Sequence, residues 1–209
     1  MSDDRRVRTK ICGITRIEDA RAAIDAGADA LGFVFYQASP RYIAPLSAQE
    51  IISQLAPFPA KVGLFVNPDR DFVSAVLARV ALDVLQFHGD EDPVFCSSFD
   101  KPYIKAVRMK HNIDLHVVCR RYADAAALLL DSYSDSGHGG TGICFDWSKI
   151  PEDLSRPIIL AGGLTVANVR RAIAACKPYA VDVSSSIELD KGIKDKQAIS
   201  AFIGEVSHV

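Results

Sequence analysis

Short apolar, β-branched runs alternate along this chain with amphipathic segments of about ten residues, the signature of repeated βαβ units. The apolar runs predict strands at 7–12, 29–35, 60–66, 82–87, 102–108, 125–131, 157–161 and 179–183. Helical patterns fall between them at 17–26, 47–55, 70–80, 91–98, 113–122, 165–175 and 194–206, with a short turn near 147–150. Right-handed crossovers leave two architectures for such a chain, an open doubly wound sheet or a closed barrel. Eight units favour closure. The expectation is one (β/α)8 TIM barrel over 1–209, at the small end of that fold's size range. No Pro-, Ser- or Gly-rich linker divides the 209 residues.

Local signals place several helix ends. Thr15 with Glu18, and Ser47 with Glu50, have the spacing of capping boxes. Asp92-Pro93 fits a helix start, since proline is tolerated in the first turn. Gly27 fits the residue just past a helix end. The longest irregular stretch runs from Ser132 to Phe145 and contains SYSDSGHGGTG. A long segment of this kind after a strand is usually a lid or binding loop, so 132–142 is expected to be a mobile lid.

Bulk composition excludes several classes. A net charge of -2 with a pI near 6.2 favours neither nucleic acid nor an anionic membrane surface as partner. No apolar run approaches the roughly 20 residues that a bilayer requires, and MSDDRRVRTK lacks the apolar core of a signal peptide. Five widely spaced cysteines (Cys12, Cys96, Cys119, Cys144, Cys176) without a CxxC pair argue against a disulfide framework or zinc ribbon. They point to a reducing compartment, the cytoplasm. His111 and His116 do not share one helical turn, and no metal site is expected. Nothing in the sequence decides between monomer and homodimer.

In a parallel αβ barrel every strand delivers its C-terminal end to one rim, where such folds place their chemistry. Residues distant in sequence then meet around one pocket. Gly162 and Gly163 follow the seventh strand, and Ser184 and Ser185 follow the eighth. Loops at those two positions form the recurrent phosphate site of these barrels, and glycine lets backbone amides approach an oxyanion. Taken alone, the glycine pair equally fits a tight turn. Asp131 ends an aliphatic strand, where a low-dielectric mouth disfavours a carboxylate and suits a general acid; a helix cap or loop salt bridge is the alternative. Cys12 ends the first strand beside Gly13, with Lys10 two residues back. It reads either as a reactive thiolate or as a buried apolar filler. Arg41 after Ser39-Pro40 offers a fork for a substrate carboxylate, or is an ordinary surface arginine. His88 and Asp182 are weaker pocket candidates. The first can equally satisfy loop carbonyls, and the second can pair with a lysine or arginine. No lysine–aspartate array of the kind used by phosphosugar decarboxylases and epimerases shows at the strand ends.

Nine segments together carry a family resemblance: KICGIT (10–15), GFVFYQASPRYI (32–43), VGLFVN (62–67), LQFHGDE (85–91), IKAVR (104–108), LLLDSY (128–133), HGGTGICFDW (138–147), LAGGLTVANV (160–169) and VDVSSSIE (181–188). With these the chain resembles phosphoribosylanthranilate isomerase, the tryptophan-pathway enzyme, over nearly its whole length. KxCGxT, GGTGxxFDW and LAGGLxxxNV are highly specific in combination. The resemblance implies an Amadori rearrangement in which Asp131 protonates the furanose ring oxygen and Cys12, as thiolate, removes the C2 proton. It further implies that Arg41 orients the anthranilate carboxylate and that Gly163, Ser184 and Ser185 hold the 5-phosphate through backbone amides. His88 and Asp182 would line the pocket. Neither a redox cofactor nor a metal is required. One departure stands out: Ser186 replaces a glycine of the family pattern. If that position needs a positive φ, serine would be strained there; tolerance is expected, because the flanking serines and glycines remain.

Two rivals are weighed by residue type. The Amadori isomerase of histidine synthesis would be expected to carry an aspartate where this chain has Cys12. A barrel that binds a phospho-ligand without catalysis would show degraded acid and base positions, whereas Cys12 and Asp131 are both present.

Overall fold

A computed structural model describes residues 6–109, 113–132 and 145–208. Eight parallel strands close into a barrel in sequence order: β1 (Arg8–Cys12), β2 (Ala30–Val34), β3 (Ala60–Phe65), β4 (Val84–Phe87), β5 (Tyr103–Met109), β6 (Ala127–Ser132), β7 (Ile158–Leu160) and β8 (Ala180–Val183). Closure is made by β1 on β8, with Lys10 opposite Asp182. The strand ends all lie within two residues of the positions expected from the sequence. Residues 133–142 of the expected lid lie outside the described residues.

The helices follow their apolar spacing. In α1 (Ile17–Asp25) Ala20 and Ala23 are buried, and in α3 (Arg70–Leu77) Val73 and Val76 are. In α6 (Val169–Cys176) the buried set is Val169, Ala172 and Ile173. In α7 (Lys196–Ser207) it is Ile199, Phe202, Ile203 and Val206. Such i, i+3, i+4 stripes turn one face to the sheet. Asp114 and Asp195 cap α5 (Leu115–Arg121) and α7 by accepting first-turn amides. Asp92 caps α4 (Pro93–Cys96) with Pro93 at its start, as expected. Gly27 follows α1 with φ +96, also as expected.

Three expectations are corrected. The N-cap of α1 is Arg16, without a side-chain cap; the Thr15 hydroxyl instead donates to the carbonyl of Gly192. The second helix, α2 (Pro45–Ser53), begins at Pro45, which leaves Ser47 inside it. The helix expected from 165 begins at Val169, because the Asn168 side chain accepts the Thr165 amide and holds a turn there. An additional antiparallel ribbon, β9 (Glu188–Asp190) with β10 (Ile193–Lys194), follows β8.

Period-2 alternation sorts each strand. Val62, Ile104, Ala127, Leu129, Ile159 and Ala180 fill the lower lumen as one apolar cluster. The opposite strand faces pack under the helices, where Phe35, Phe65, Phe87, Phe95, Phe99 and Tyr103 form a chain of ring contacts. A fully buried ring such as Phe87 contributes roughly 2–3 kcal/mol. The barrel is therefore packed below. Polar side chains face the lumen toward its upper end.

Candidate active site

The same alternation that buries the lower lumen carries Lys10 and Cys12 of β1, Gln86 of β4, Asp131 of β6 and Asp182 of β8 to the C-terminal mouth. His88 follows β4 on the same face as Gln86. Lys10 Nζ lies 2.8 Å from Asp182 Oδ1, both almost fully buried, and its charge acts on the Cys12 thiol. This is the alternative the sequence left open for Asp182, pairing with a lysine. Burial works against the Lys10 charge, but Asp182 and Cys12 outweigh it and hold the ammonium above its ordinary range. Burial also pushes the Cys12 thiol up, against the pull of Lys10 and Lys194. The resting thiol is thus harder to ionise than its place beside a lysine predicts. Gly32 sits opposite Cys12 in the ladder, and a Cβ there would stand 2.8 Å from the sulfur. Glycine makes room for the thiol.

Across the mouth, His88 Nε2 lies 3.1 Å from Asp131 Oδ2. The other ring nitrogen lies 3.2 Å from Gln86 Nε2. Asp131 and His88 are close enough that their charges act on Asp182, and Asp182 acts on Cys12. The thiol and the carboxyl therefore share one electrostatic environment, and Asp131 pairs with the loop residue His88, the salt-bridge alternative, without capping a helix. Gly162 packs directly against Asp131. Its φ is +76, and a Cβ would stand 2.5 Å from Asp131 Oδ1 and run into the Ser132 amide. Gly162→Ala is expected to lower turnover about a hundredfold, since about 1 Å of misplacement at a reacting group can cost that much. The left-handed φ adds roughly 1–2 kcal/mol of strain. Kinetics and a thermal melt check this; an alanine variant with ordinary kcat and melting temperature would refute the contact's importance.

Arg41 departs from the simple reading of a waiting fork. Its Nε and Nη2 donate to Glu188 at 2.8 and 2.7 Å. Lys194 Nζ donates to the same carboxylate at 2.8 Å and to the Ser184 carbonyl at 3.1 Å. Burial opposes the Glu188 charge, yet Arg41 and Lys194 hold the carboxyl below its ordinary value. Arg41 is thereby fixed in place. A Cβ on Gly13 would touch both Arg41 and Ser184, so this cluster lies just above β1.

The two loops expected to bind phosphate are neighbours. Gly162 and Gly163 both have positive φ, +76 and +69. Ser185 opens a 3₁₀ turn, Ser185–Ile187. The Ser184 hydroxyl donates to the Cys12 carbonyl at 3.0 Å. Ser186 donates to the Leu164 carbonyl at 2.6 Å, which ties the eighth loop to the seventh. Ser186 is not among the residues with positive φ, so serine is accommodated without strain. The start of α6 at Val169 moves the helix N-terminus away from Gly163; Asn168 Nδ2 instead donates to the Gly163 carbonyl.

Cys96 and Cys119 are buried and Cys176 partly so, in keeping with structural roles; Cys144 lies outside the described residues. Among the described residues, no group of three His, Cys, Asp or Glu side chains could hold a metal ion. No helix among them is long and apolar enough to cross a membrane. The sequence reading missed Gln86, Lys194 and the partnership of Glu188. Gln86 carried a signal, since it shares a strand face with His88 at spacing two. It also missed Lys105, whose Nζ lies 2.9 Å from Glu91 Oε2 and 2.6 Å from the Gly89 carbonyl. That buried pair pins the loop carrying His88.

Known proteins bear on this geometry. The family model for N-(5'phosphoribosyl)anthranilate (PRA) isomerase matches residues 9–205. The N-(5'-phosphoribosyl)anthranilate isomerase of Pseudomonas savastanoi pv. phaseolicola is 57% identical over 200 residues, covering 96% of this chain and 97% of that one. The crystal structure of phosphoribosyl anthranilate isomerase from Thermotoga maritima superposes with a TM-score of 0.91 at 41% identity, covering 97% of this chain and all of the other, 100%. A crystal structure of such an isomerase in complex with reduced 1-(o-carboxyphenylamino)-1-deoxyribulose 5-phosphate gives a TM-score of 0.87 at 40% identity, with coverage of 97% and 100%. The closed eight-stranded barrel is thus shared with enzymes of one name, and the chain belongs to the N-(5'-phosphoribosyl)anthranilate isomerase family.

Proposed function

We propose that this chain is a cytoplasmic enzyme of tryptophan biosynthesis and that its whole length forms one catalytic domain. It converts N-(5-phosphoribosyl)anthranilate to 1-(2-carboxyphenylamino)-1-deoxyribulose 5-phosphate. The observation that carries this reading is the electrostatic unit of Cys12, Lys10, Asp182, His88 and Asp131 at one barrel mouth.

Asp131, at the end of β6, gives its proton to the furanose ring oxygen, and the C1–O bond breaks to leave an iminium. The Cys12 thiolate, at the end of β1, then takes the proton from C2, and the enolamine that forms tautomerises to the ketone. Lys10 stabilises the thiolate from below. Arg41, held by Glu188, meets the anthranilate carboxylate. Backbone amides of Gly162, Gly163, Ser184 and Ser185 take the phosphate, and His88 and Asp182 line the sugar site. Glycine at positive φ turns successive amides toward one concavity, which suits an oxyanion.

The test is direct. Purified protein mixed with N-(5-phosphoribosyl)anthranilate should extinguish anthranilate-type fluorescence, and the gene should rescue a tryptophan auxotroph lacking this isomerase. Unchanged fluorescence together with failed rescue would end the reading. For the phosphate loops, Ser186→Ala is expected to raise KM about fivefold with kcat kept, the worth of one neutral hydrogen bond at about 1 kcal/mol. An unchanged KM would show that the tie to Leu164 does not shape the site.

A further inference from the structure

Lys194, in β10, has a side chain with no exposed surface. A buried ammonium needs a partner for each of its three N–H groups. Lys194 Nζ finds them at Glu188 Oε1 (2.8 Å), the Ser184 carbonyl (3.1 Å) and the Ser184 hydroxyl (3.3 Å). That hydroxyl gives its own proton to the Cys12 carbonyl, so it accepts from Lys194. The lysine is itself held through its backbone. Its amide donates to Asp19 of α1 at 3.1 Å, and Arg16 grips Asp19 through two hydrogen bonds.

Neutralising Glu188 does not account for this lysine, because Arg41 already meets that carboxylate with two hydrogen bonds. Two cations share one carboxylate, and among the described residues the cluster keeps one positive charge in excess. Burial pulls the ammonium below its ordinary range, and Glu188 opposes that pull. A buried charge in excess is unfavourable unless an anion completes it. The place of the lysine indicates which anion. It sits on the carbonyl side of the peptide between Ser184 and Ser185, which is trans. A trans peptide is planar and sends its C=O and N–H in opposite directions. Holding the carbonyl toward Lys194 therefore turns the Ser185 amide away from it. The ammonium also polarises the peptide it holds, which makes that amide a stronger donor. The seventh loop repeats the arrangement with a neutral donor, Asn168 Nδ2 on the Gly163 carbonyl at 2.9 Å.

We propose that Lys194 is a positioning residue of the phosphate site: its ammonium fixes the Ser184 carbonyl, aims the Ser185 amide at the 5-phosphate and supplies the positive charge that the phosphate balances. The inference rests on the reading that the seventh and eighth loops take the phosphate. Lys194 touches no reacting atom, and its effect is on binding.

The probe is inorganic phosphate, used as a competitor of N-(5-phosphoribosyl)anthranilate. Lys194→Met removes the charge, keeps an unbranched apolar stem and leaves Glu188 to Arg41. It is expected to raise the phosphate inhibition constant and the substrate KM about tenfold each, with kcat within about threefold, on protein that a melt shows to be folded. A phosphate inhibition constant unchanged from the parent's would overturn the proposal. So would a loss of kcat with KM and phosphate inhibition unchanged, which would assign the ammonium to Cys12 instead. A second measurement needs no variant. In the parent, the Ser185 amide proton, assigned by NMR, is expected to move downfield as inorganic phosphate saturates the site; an amide that stays in place would overturn the proposal as well. The two levels separate cleanly. If inorganic phosphate does not compete with substrate in the parent, the phosphate reading of the loops falls; if it competes equally in the parent and in Lys194→Met, only the role of Lys194 falls.

Discussion

Cys12→Ala is expected to reduce kcat by at least about a hundredfold, the lower bound for a positioned general base. The sulfur is the only group on β1 that can take a carbon-bound proton, because Lys10 is engaged by Asp182 and held as an ammonium. Removing one buried atom leaves a small cavity, so stability should fall by only about 1 kcal/mol. A loss of activity under tenfold would remove Cys12 from the role. Direction of pH dependence follows from its surroundings. Burial raises the thiol and Lys10 opposes that rise, with Asp182, Lys194 and Arg41 also in range. Turnover should therefore increase with pH as the thiolate forms. Lys10→Met should move that increase to higher pH, read from kcat against pH on protein that a melt shows to be folded. A profile that does not move would contradict the electrostatic role of Lys10.

Asp131→Asn is expected to lower kcat by about 10²–10⁴, the span of general acid catalysis, with KM within about threefold. The amide has the shape of the carboxyl and can keep a hydrogen bond to His88 Nε2 from the position Oδ2 now occupies. Gly162 packs as closely against one as the other. What disappears is the capacity to deliver a proton to the ring oxygen. Steady-state kinetics separates the cases: a near-normal kcat would exclude Asp131 as the acid, and a KM raised with kcat intact would make it a binding group.

The strands were legible because a buried parallel strand must be apolar and β-branched, and eight such runs leave few closures. Their ends were legible for the same reason, and so Cys12, His88, Asp131 and Asp182 were found. Helix starts were less so. Thr15 has the right type and spacing for a cap, yet its hydroxyl is claimed by Gly192, 177 residues away. Ser47 has the same local credentials but lies inside a helix that Pro45 begins. Local signals yield where a distant partner or an earlier start competes. The partners of the site were the least legible. That Glu188 would lock Arg41, or that Lys10 would find Asp182 instead of a water-filled mouth, depends on which strands and loops are adjacent around the barrel. Ser186 illustrates the converse: its cost was uncertain in the sequence, and the structure shows an unstrained backbone and a hydroxyl put to use.

The Lys10–Asp182 pair has a consequence for how the molecule is made. Its halves are 172 residues apart, and they join the first strand to the last. At about 5–20 residues per second of synthesis, roughly 10–35 s pass between the making of the amino group and the making of its counter-ion. During that interval the first strand cannot be desolvated on its lumen face, since an ammonium withdrawn from water alone carries a penalty of several kcal/mol. The Cys12 thiol stays wet until translation is nearly finished, so the mouth of the barrel and its final closure form in the same late step.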